Sequence, residues 1–204
     1  MPNTLLRKKV AITGGPSGGK TTLIETLSRD LGTHVAIVPE AASILYRGGF
    51  PRRKSESRQK HAQRAIFFIQ KEIEDLVEEE NPNKLMICDR GSLDSLAYWP
   101  GDADSFFKSV NTNLNDELFR YDWVLHLDTA PSDGYDTENP IRVETFQEAV
   151  ELNAKTKKAW SSHPKQIIVA NQVDFLSKMM ICIKIIRLID QGASPSEIQN
   201  QLHD

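Results

Sequence analysis

Cysteine is scarce in this chain: Cys88 and Cys182 are the only two, each inside an apolar run. Two thiols so placed exclude a disulfide framework and a four-ligand zinc site, and read as buried free thiols of a reducing compartment. Long hydrophobic runs are missing too. The most apolar late segment, residues 179–189, is interrupted by Lys184 and Arg187, so no membrane span is expected. The start, Met-Pro-Asn-Thr-Leu-Leu-Arg-Lys-Lys, lacks the apolar stretch of a secretory signal, and a cytoplasmic location is expected. Neither sign of charge dominates, with 25 Lys and Arg against 28 Asp and Glu; that removes the global basic field of a nucleic-acid binder. The five histidines share no ligand spacing, and none is assigned to a metal or to catalysis. Internal repeats and low-complexity tracts are absent.

What remains is an ordinary globular composition, 39% hydrophobic and 26% charged over 204 residues, enough for one domain with a full core. One local bias stands out. Arg47, Arg52, Arg53, Lys54, Arg58, Lys60 and Arg64 face Glu56 alone. That stretch attracts anions; it reads as a solvated loop, as a site for a phosphate or an acidic substrate, or as a nucleic-acid or membrane surface.

Short apolar runs at residues 10–13, 35–38, 85–88, 123–127 and 167–170 read as buried strands. Between them lie helical periodicities. Leu23, Leu27 and Leu31 recur four apart before Gly32. Ala62, Ala65, Ile66, Ile69, Ile73 and Leu76 mark a face on a long helix over 58–80, with Ser57 as its cap. That helix starts basic and ends acidic, against its own dipole. Helices are also expected over 41–46, 104–115, 143–160 and 174–189, and a last one from the Ser194-Pro195-Ser196-Glu197 start signal. Strands alternating with helices predict an α/β protein of three layers, a five-stranded parallel sheet with helices on both faces. In such sheets the carboxyl ends of the strands line the ligand crevice. Trp99, Trp123 and Trp160 read as packing residues.

The strongest signal is Gly14-Gly15-Pro16-Ser17-Gly18-Gly19-Lys20-Thr21. It fits the phosphate-loop pattern completely, after a strand and opening a helix. Glycines let the backbone wrap an anion, and successive N–H groups with the helix N-terminus point at the phosphates. Lys20 supplies a charge for the β- and γ-phosphates, and the Thr21 hydroxyl a ligand for Mg²⁺. Thr22 is grouped with the loop, although its position favours the helix surface. ATP is the expected nucleotide, with GTP left open.

Other candidates sit at strand ends. Asp89 ends the third strand, either as a ligand of Mg²⁺ or its water, as a proton acceptor, or as a turn cap. Arg90 reads as a phosphate clamp, as an orienter of an acid, or as half of a structural ion pair. Glu40 follows the second strand; it reads as the carboxylate that takes or orients an acceptor hydroxyl, or as a helix-start acid. The turn-rich residues 132–140 read as a lid, on which Arg142 neutralises the transferring phosphoryl group or pairs with Glu138 or Glu144. Asn171, after the last strand, is placed near the nucleotide base. Asp128 shapes the crevice or caps a turn.

The phosphate loop, the Val38-Pro39-Glu40-Ala41-Ala42 run, the Cys88-Asp89-Arg90-Gly91 run with Asp94, and Arg142 near Glu144 together resemble the P-loop ATPase/kinase-like family, an AAA-type ATPase domain related to the bacterial nicotinamide riboside kinase domain. The resemblance spans about residues 8 to 190. It implies strand order 2-3-1-4-5 and a lid near Arg142. It also implies an acid-arginine pair at Asp89 and Arg90, and a substrate-orienting carboxylate at Glu40. Gly91 stands where several such kinases hold serine or histidine, a departure that points away from a nucleoside acceptor. The expected protein is a single domain over 1–204, with a basic helical or loop insert near 47–64 and a lid near 132–145. The expected function is ATP-dependent phosphoryl transfer to a small-molecule acceptor, a phosphorylated or acidic metabolite. The alternatives are hydrolysis of a nucleoside or organic triphosphate, or a nucleotide-dependent binding module. The expected assembly is a monomer or homodimer.

Overall fold

The computed structural model describes residues 8–52, 55–132 and 145–203. Residues 133–144 of the lid expected near 132–145, Arg142 among them, lie outside the described residues, as do Arg53 and Lys54. Strands β1 (Lys9–Gly14), β2 (Val35–Val38), β3 (Leu85–Asp89), β4 (Trp123–Leu127) and β5 (Gln166–Val169) form one sheet of order β2-β3-β1-β4-β5. Every pairing is parallel, so the expected architecture and strand order both hold.

The order follows from burial. β1 is central and apolar on both faces: Val10 and Ile12 enter one core, Ala11 the other. Such double burial is what an uninterrupted hydrophobic run encodes in a parallel sheet. Helices α1 (Lys20–Leu31) and α8 (Phe175–Asp190) close the first face, where Leu23, Leu27, Cys182 and Ile185 meet the sheet. The other face packs Met86, Cys88, Tyr121, Val124 and Trp160. It is covered by α3 (Glu56–Glu80), α6 (Leu114–Leu118) and α7 (Phe146–Ala159). A satellite cluster of Phe67, Trp99, Phe106 and Val110 joins α3 to α5 (Ala103–Val110). Short helices α2 (Ala41–Arg47) and α4 (Asp94–Ala97) follow β2 and β3, and α9 (Pro195–His203) comes last. Both cysteines are free and buried. Burial pushes the Cys88 thiol well up and the Cys182 thiol to about 12. No helix among the described residues is long and apolar enough to cross a membrane.

Three local expectations are corrected. The segment at 104–115 is two helices, because Asn111 takes a left-handed φ of 55° that stops α5, and Asn113 caps α6. The cap of α3 is Ser55, whose hydroxyl accepts from the Arg58 N–H, not Ser57. The buried face of α3 is also rotated from the apolar stripe. Its fully buried residues are Ala62, Gln63, Phe67, Gln70 and Glu74, while Leu76 is 52% exposed. Two of the polar side chains, Gln70 and Glu74, are hydrogen-bonded inside the protein.

Candidate functional site

The chain leaves β1 through Gly14 at φ 129° and enters α1 through Gly19 at φ 91°. Both conformations are costly for any residue with a Cβ. The loop is also pressed against β4: a Cβ on Gly14 would stand 2.0 Å from the Leu127 carbonyl oxygen, and one on Gly18 2.9 Å from the same atom. On Gly15 it would reach the Thr129 hydroxyl at 2.1 Å. Ser17 holds a left-handed φ of 59°, and its hydroxyl is buried without a partner among the described residues. A buried orphan hydroxyl inside a ring of glycine amides fits a phosphate oxygen. Pro16 and Gly19 are partly exposed, and Thr21 and Thr22 are exposed on the first turn of α1.

Lys20 is buried, and its ammonium donates to the Gly14 and Gly15 carbonyls at 3.1 and 2.7 Å. Burial, and then Arg90, lowers its pKa to about 7. Asp89 moves the other way, raised to about 6 by burial and then by Glu40. A polyanion beside Lys20 and a divalent cation beside Asp89 would each restore the charged form. The Asp89 carboxylate makes no hydrogen bond among the described residues and, with the Thr21 hydroxyl, offers hard oxygen donors of the kind Mg²⁺ takes. No group of three His, Cys, Asp or Glu among the described residues could hold a metal without other ligands. Magnesium usually takes one or two carboxylates and completes its shell with phosphates and water.

Beyond Asp89 the chain turns at Arg90, which takes a left-handed φ of 76°. A buried network holds this turn. Gln70 Nε2 donates to the Arg90 carbonyl at 3.2 Å and to Glu74 Oε1 at 2.9 Å. Tyr121 accepts from the Ser92 N–H at 2.7 Å and donates to Glu74. Glu74, with no exposed surface, also pairs with Arg120 at 2.7 Å. The Arg90 side chain is thereby aimed at three acceptors: Glu40 Oε1 at 2.9 Å, the Gly14 carbonyl at 3.2 Å and Asp94 Oδ2 at 3.2 Å. Glu40 stands at the N-cap of α2 and also accepts from the Ser43 hydroxyl. Burial pushes its pKa up, but Arg90 and Ser43 outweigh that and hold it below the usual carboxylate value. Gly91 has a packing reason: a Cβ there would come within 2.6 Å of the Trp160 ring. Its departure from serine or histidine is thus set by the indole behind it.

Glu40 and Arg90 border a cavity of about 810 Å³ that reaches Pro16 of the phosphate loop. Tyr46, Tyr98, Ala62 and Ile66 give it apolar walls. Gln63, buried and without a hydrogen bond to any described residue, lines it as well. Arg52 and Arg58 add positive charge, and the Arg52 guanidinium lies 4.4 Å from the centre of the Tyr46 ring. Asp89 is not among the cavity's lining residues.

The structure therefore brings Lys20, Glu40, Asp89 and Arg90 into one electrostatic neighbourhood at the strand ends. Asn171 is placed differently from a free base reader. Its amide nitrogen donates to the Thr129 carbonyl at 2.8 Å, and its oxygen accepts from Lys178 at 3.2 Å. Asp128 accepts from Asn153 at 2.9 Å. Asn153, on α7, was not singled out from the sequence. Its oxygen receives the Gly15 N–H at 3.1 Å and lies 3.1 Å from His126 Nε2, tying α7 to the loop. An asparagine inside an amphipathic helix carries no sequence signal for that contact.

A family model described as an AAA domain matches residues 9–178. No curated protein matches the sequence. Among solved structures, the fold is similar to deoxyadenosine kinase from M. mycoides with bound dATP, at a TM-score of 0.61 and 13% identity, covering 89% of this chain and 100% of that one. It is also similar to thymidylate kinase from Candida albicans, at a TM-score of 0.54 and 15% identity, covering 90% and 93%. At such identities the likeness is one of fold: a P-loop kinase-like domain.

Proposed function

The chain belongs to this AAA domain family, and from that premise we propose that it transfers the terminal phosphoryl group of ATP, or of GTP, to a hydroxyl of a small-molecule acceptor held between α2 and α3. One observation carries the reading: a cavity of about 810 Å³ meets the phosphate loop at Pro16, with a carboxylate and a guanidinium at the junction. A loop built only to hydrolyse or to sense a nucleotide has no need of a second chamber there. Two solved structures of similar fold are named as kinases of a nucleoside and of a nucleotide, which supports an acceptor of that general size. Arg52 and Arg58 offer contacts to a phosphate or another acidic group on one side of the cavity, with Glu56 and Glu148 elsewhere on its wall.

The backbone N–H groups of residues 17–19, the Ser17 hydroxyl and Lys20 hold the phosphates of the donor. Thr21 and Asp89 would hold Mg²⁺, which would supply neutralising charge to the donor phosphates. Glu40, kept ionised by Arg90 and Ser43, accepts the hydrogen bond of the acceptor hydroxyl and orients its oxygen at the terminal phosphorus. The new oxygen–phosphorus bond forms as the bridging bond to the β-phosphate breaks, and the hydroxyl proton passes to Glu40 or to water. Arg90 orients Glu40 and brings positive charge beside the transferring group. Arg142 is assigned the same task from the lid side at 132–145.

Calorimetry with Mg·AMPPNP on the parent and on Lys20→Ala tests the donor half. Lys20→Ala should weaken binding by about a hundredfold, the loss of a strong charge-assisted contact; equal affinity would remove the phosphate loop from the argument. A metabolite screen with γ-labelled ATP tests the acceptor half. Label should move to an anionic acceptor, and Glu40→Gln should slow that transfer. Release of free phosphate at one rate whatever the acceptor would replace the proposal with hydrolysis.

A further inference from the structure

We propose that Asp94 is a positioning residue: its buried carboxylate fixes the Arg90 guanidinium between Glu40 and the phosphate loop, so that the arginine's charge reaches the bound polyphosphate. The inference rests on the phosphoryl-transfer reading above and adds a residue that it does not use.

Asp94 opens α4 and is 3% exposed. Its Oδ1 accepts from the Thr13 hydroxyl at 2.6 Å and from the Trp160 indole N–H at 2.7 Å. These neutral donors come from β1 and from the end of α7, so they pin the carboxylate from two sides. Its Oδ2 is left for Arg90 at 3.2 Å. The same guanidinium nitrogen reaches the Gly14 carbonyl, and Nε reaches Glu40. Without Asp94 that nitrogen keeps only a peptide oxygen, and a long side chain regains rotamer freedom.

Two further points favour this role over a packing role. A buried carboxylate is expensive, and two neutral donors could be served by an amide at lower cost; among the described residues Arg90 is the cation that hydrogen-bonds to its charge. Arg90 also touches the phosphate loop directly, since its Nη1 donates to the Gly14 carbonyl at 3.2 Å. The arginine's charge therefore stands where phosphates bind.

The sign of one substitution decides the matter. Asp94→Asn keeps an oxygen for Thr13 and Trp160 and removes the charge. A mere bystander anion repels phosphates, so its neutralisation would tighten polyphosphate binding. A positioning anion gives the opposite result. The probe is Mg·AMPPNP, titrated calorimetrically into the parent, Asp94→Asn, Arg90→Met and the double variant, with thermal melts as the fold control. Asp94→Asn and Arg90→Met should each weaken binding by about tenfold, the worth of one hydrogen bond to a charged group. In the Arg90→Met background the asparagine should cost nothing further, or should tighten binding. Tighter binding by Asp94→Asn alone, no effect of Arg90→Met, or equal losses in both backgrounds would each overturn the proposal. If Asp94→Asn does not fold, Thr13→Val and Trp160→Phe carry the test, since they strip the other donors and leave the Arg90 contact. Both should bind within about twofold of the parent, well below the worth of a charged hydrogen bond; a tenfold loss would show the carboxylate acting through β1 or α7 instead. A parent that does not bind Mg·AMPPNP would end the phosphate-loop reading itself, and this inference with it. A wrong sign in a parent that binds would end this inference alone.

Discussion

The phosphate loop and the acceptor cavity share a border at Pro16 but are made of different material. The loop is main chain. Gly14 and Gly19 supply left-handed turns, and β4 presses so close that a Cβ on Gly14 has no room. The cavity is side chains brought from four places: Glu40 after β2, Gln63 on α3, Arg90 after β3 and Tyr98 after α4. A backbone site depends on a few contiguous residues with the right φ. A side-chain site depends on every contact that aims its members, including the buried network behind Arg90. The first is robust to distant change and fragile at its own glycines; the second is the reverse.

The largest expected effect falls on the side-chain half, at a residue far from any ligand. Glu74→Ala leaves Arg120, Tyr121 and Gln70 without their common acceptor. Loss of such a buried partner should cost about 3–5 kcal/mol in a urea melt. In the protein that remains folded, Mg·AMPPNP affinity should fall by no more than the roughly tenfold expected for losing Arg90 itself, because the network reaches the glycine loop only through Arg90. Next comes Gly14→Ala, which combines a positive φ with contact at 2.0 Å. It should cost about 3 kcal/mol from strain and overlap and abolish Mg·AMPPNP binding in calorimetry. If Glu74→Ala proved neutral, or Gly14→Ala kept full affinity, the contrast would collapse. The smallest effect is one of pH. His126 has no exposed surface, and burial depresses its pKa. Asp128, Asp94 and Lys157 are the charges that act on it. The unfolded chain then binds the extra proton, so stability is fully present above the ordinary histidine value of about 6.5 and is lost as pH falls below it. In urea melts between pH 5 and 8, His126→Asn should lose less stability on acidification than the parent does, with His163 keeping its own share of that loss.

The same contrast explains what could be read from the chain in advance. The phosphate loop and the five strands are local statements, since glycine spacing and uninterrupted apolar runs carry them. Glu40, Asp89 and Arg90 were legible because strand ends in a parallel sheet converge. Glu74 was not. It looked like one more acid in the exposed, acidic half of α3, because the aliphatic stripe points to the wrong face. Only the positions of Arg120 and Tyr121, more than forty residues away in sequence, make that carboxylate an interior group. Asn153 was hidden for the same reason, since its partners are the Gly15 and Thr129 amides, His126 and Asp128, and no local pattern records them. Gly91 could be recognised as a departure from related kinases, but its cause lay in Trp160, brought up from the end of α7.

The two thiols have a practical corollary. Both are sealed in the core and too reluctant to ionise to compete for alkylating reagents. The natural chain is in effect already blank for maleimide chemistry. A single cysteine introduced on the solvent side of α3 or α7 would carry a spin label or a fluorophore without any native cysteine having to be replaced first.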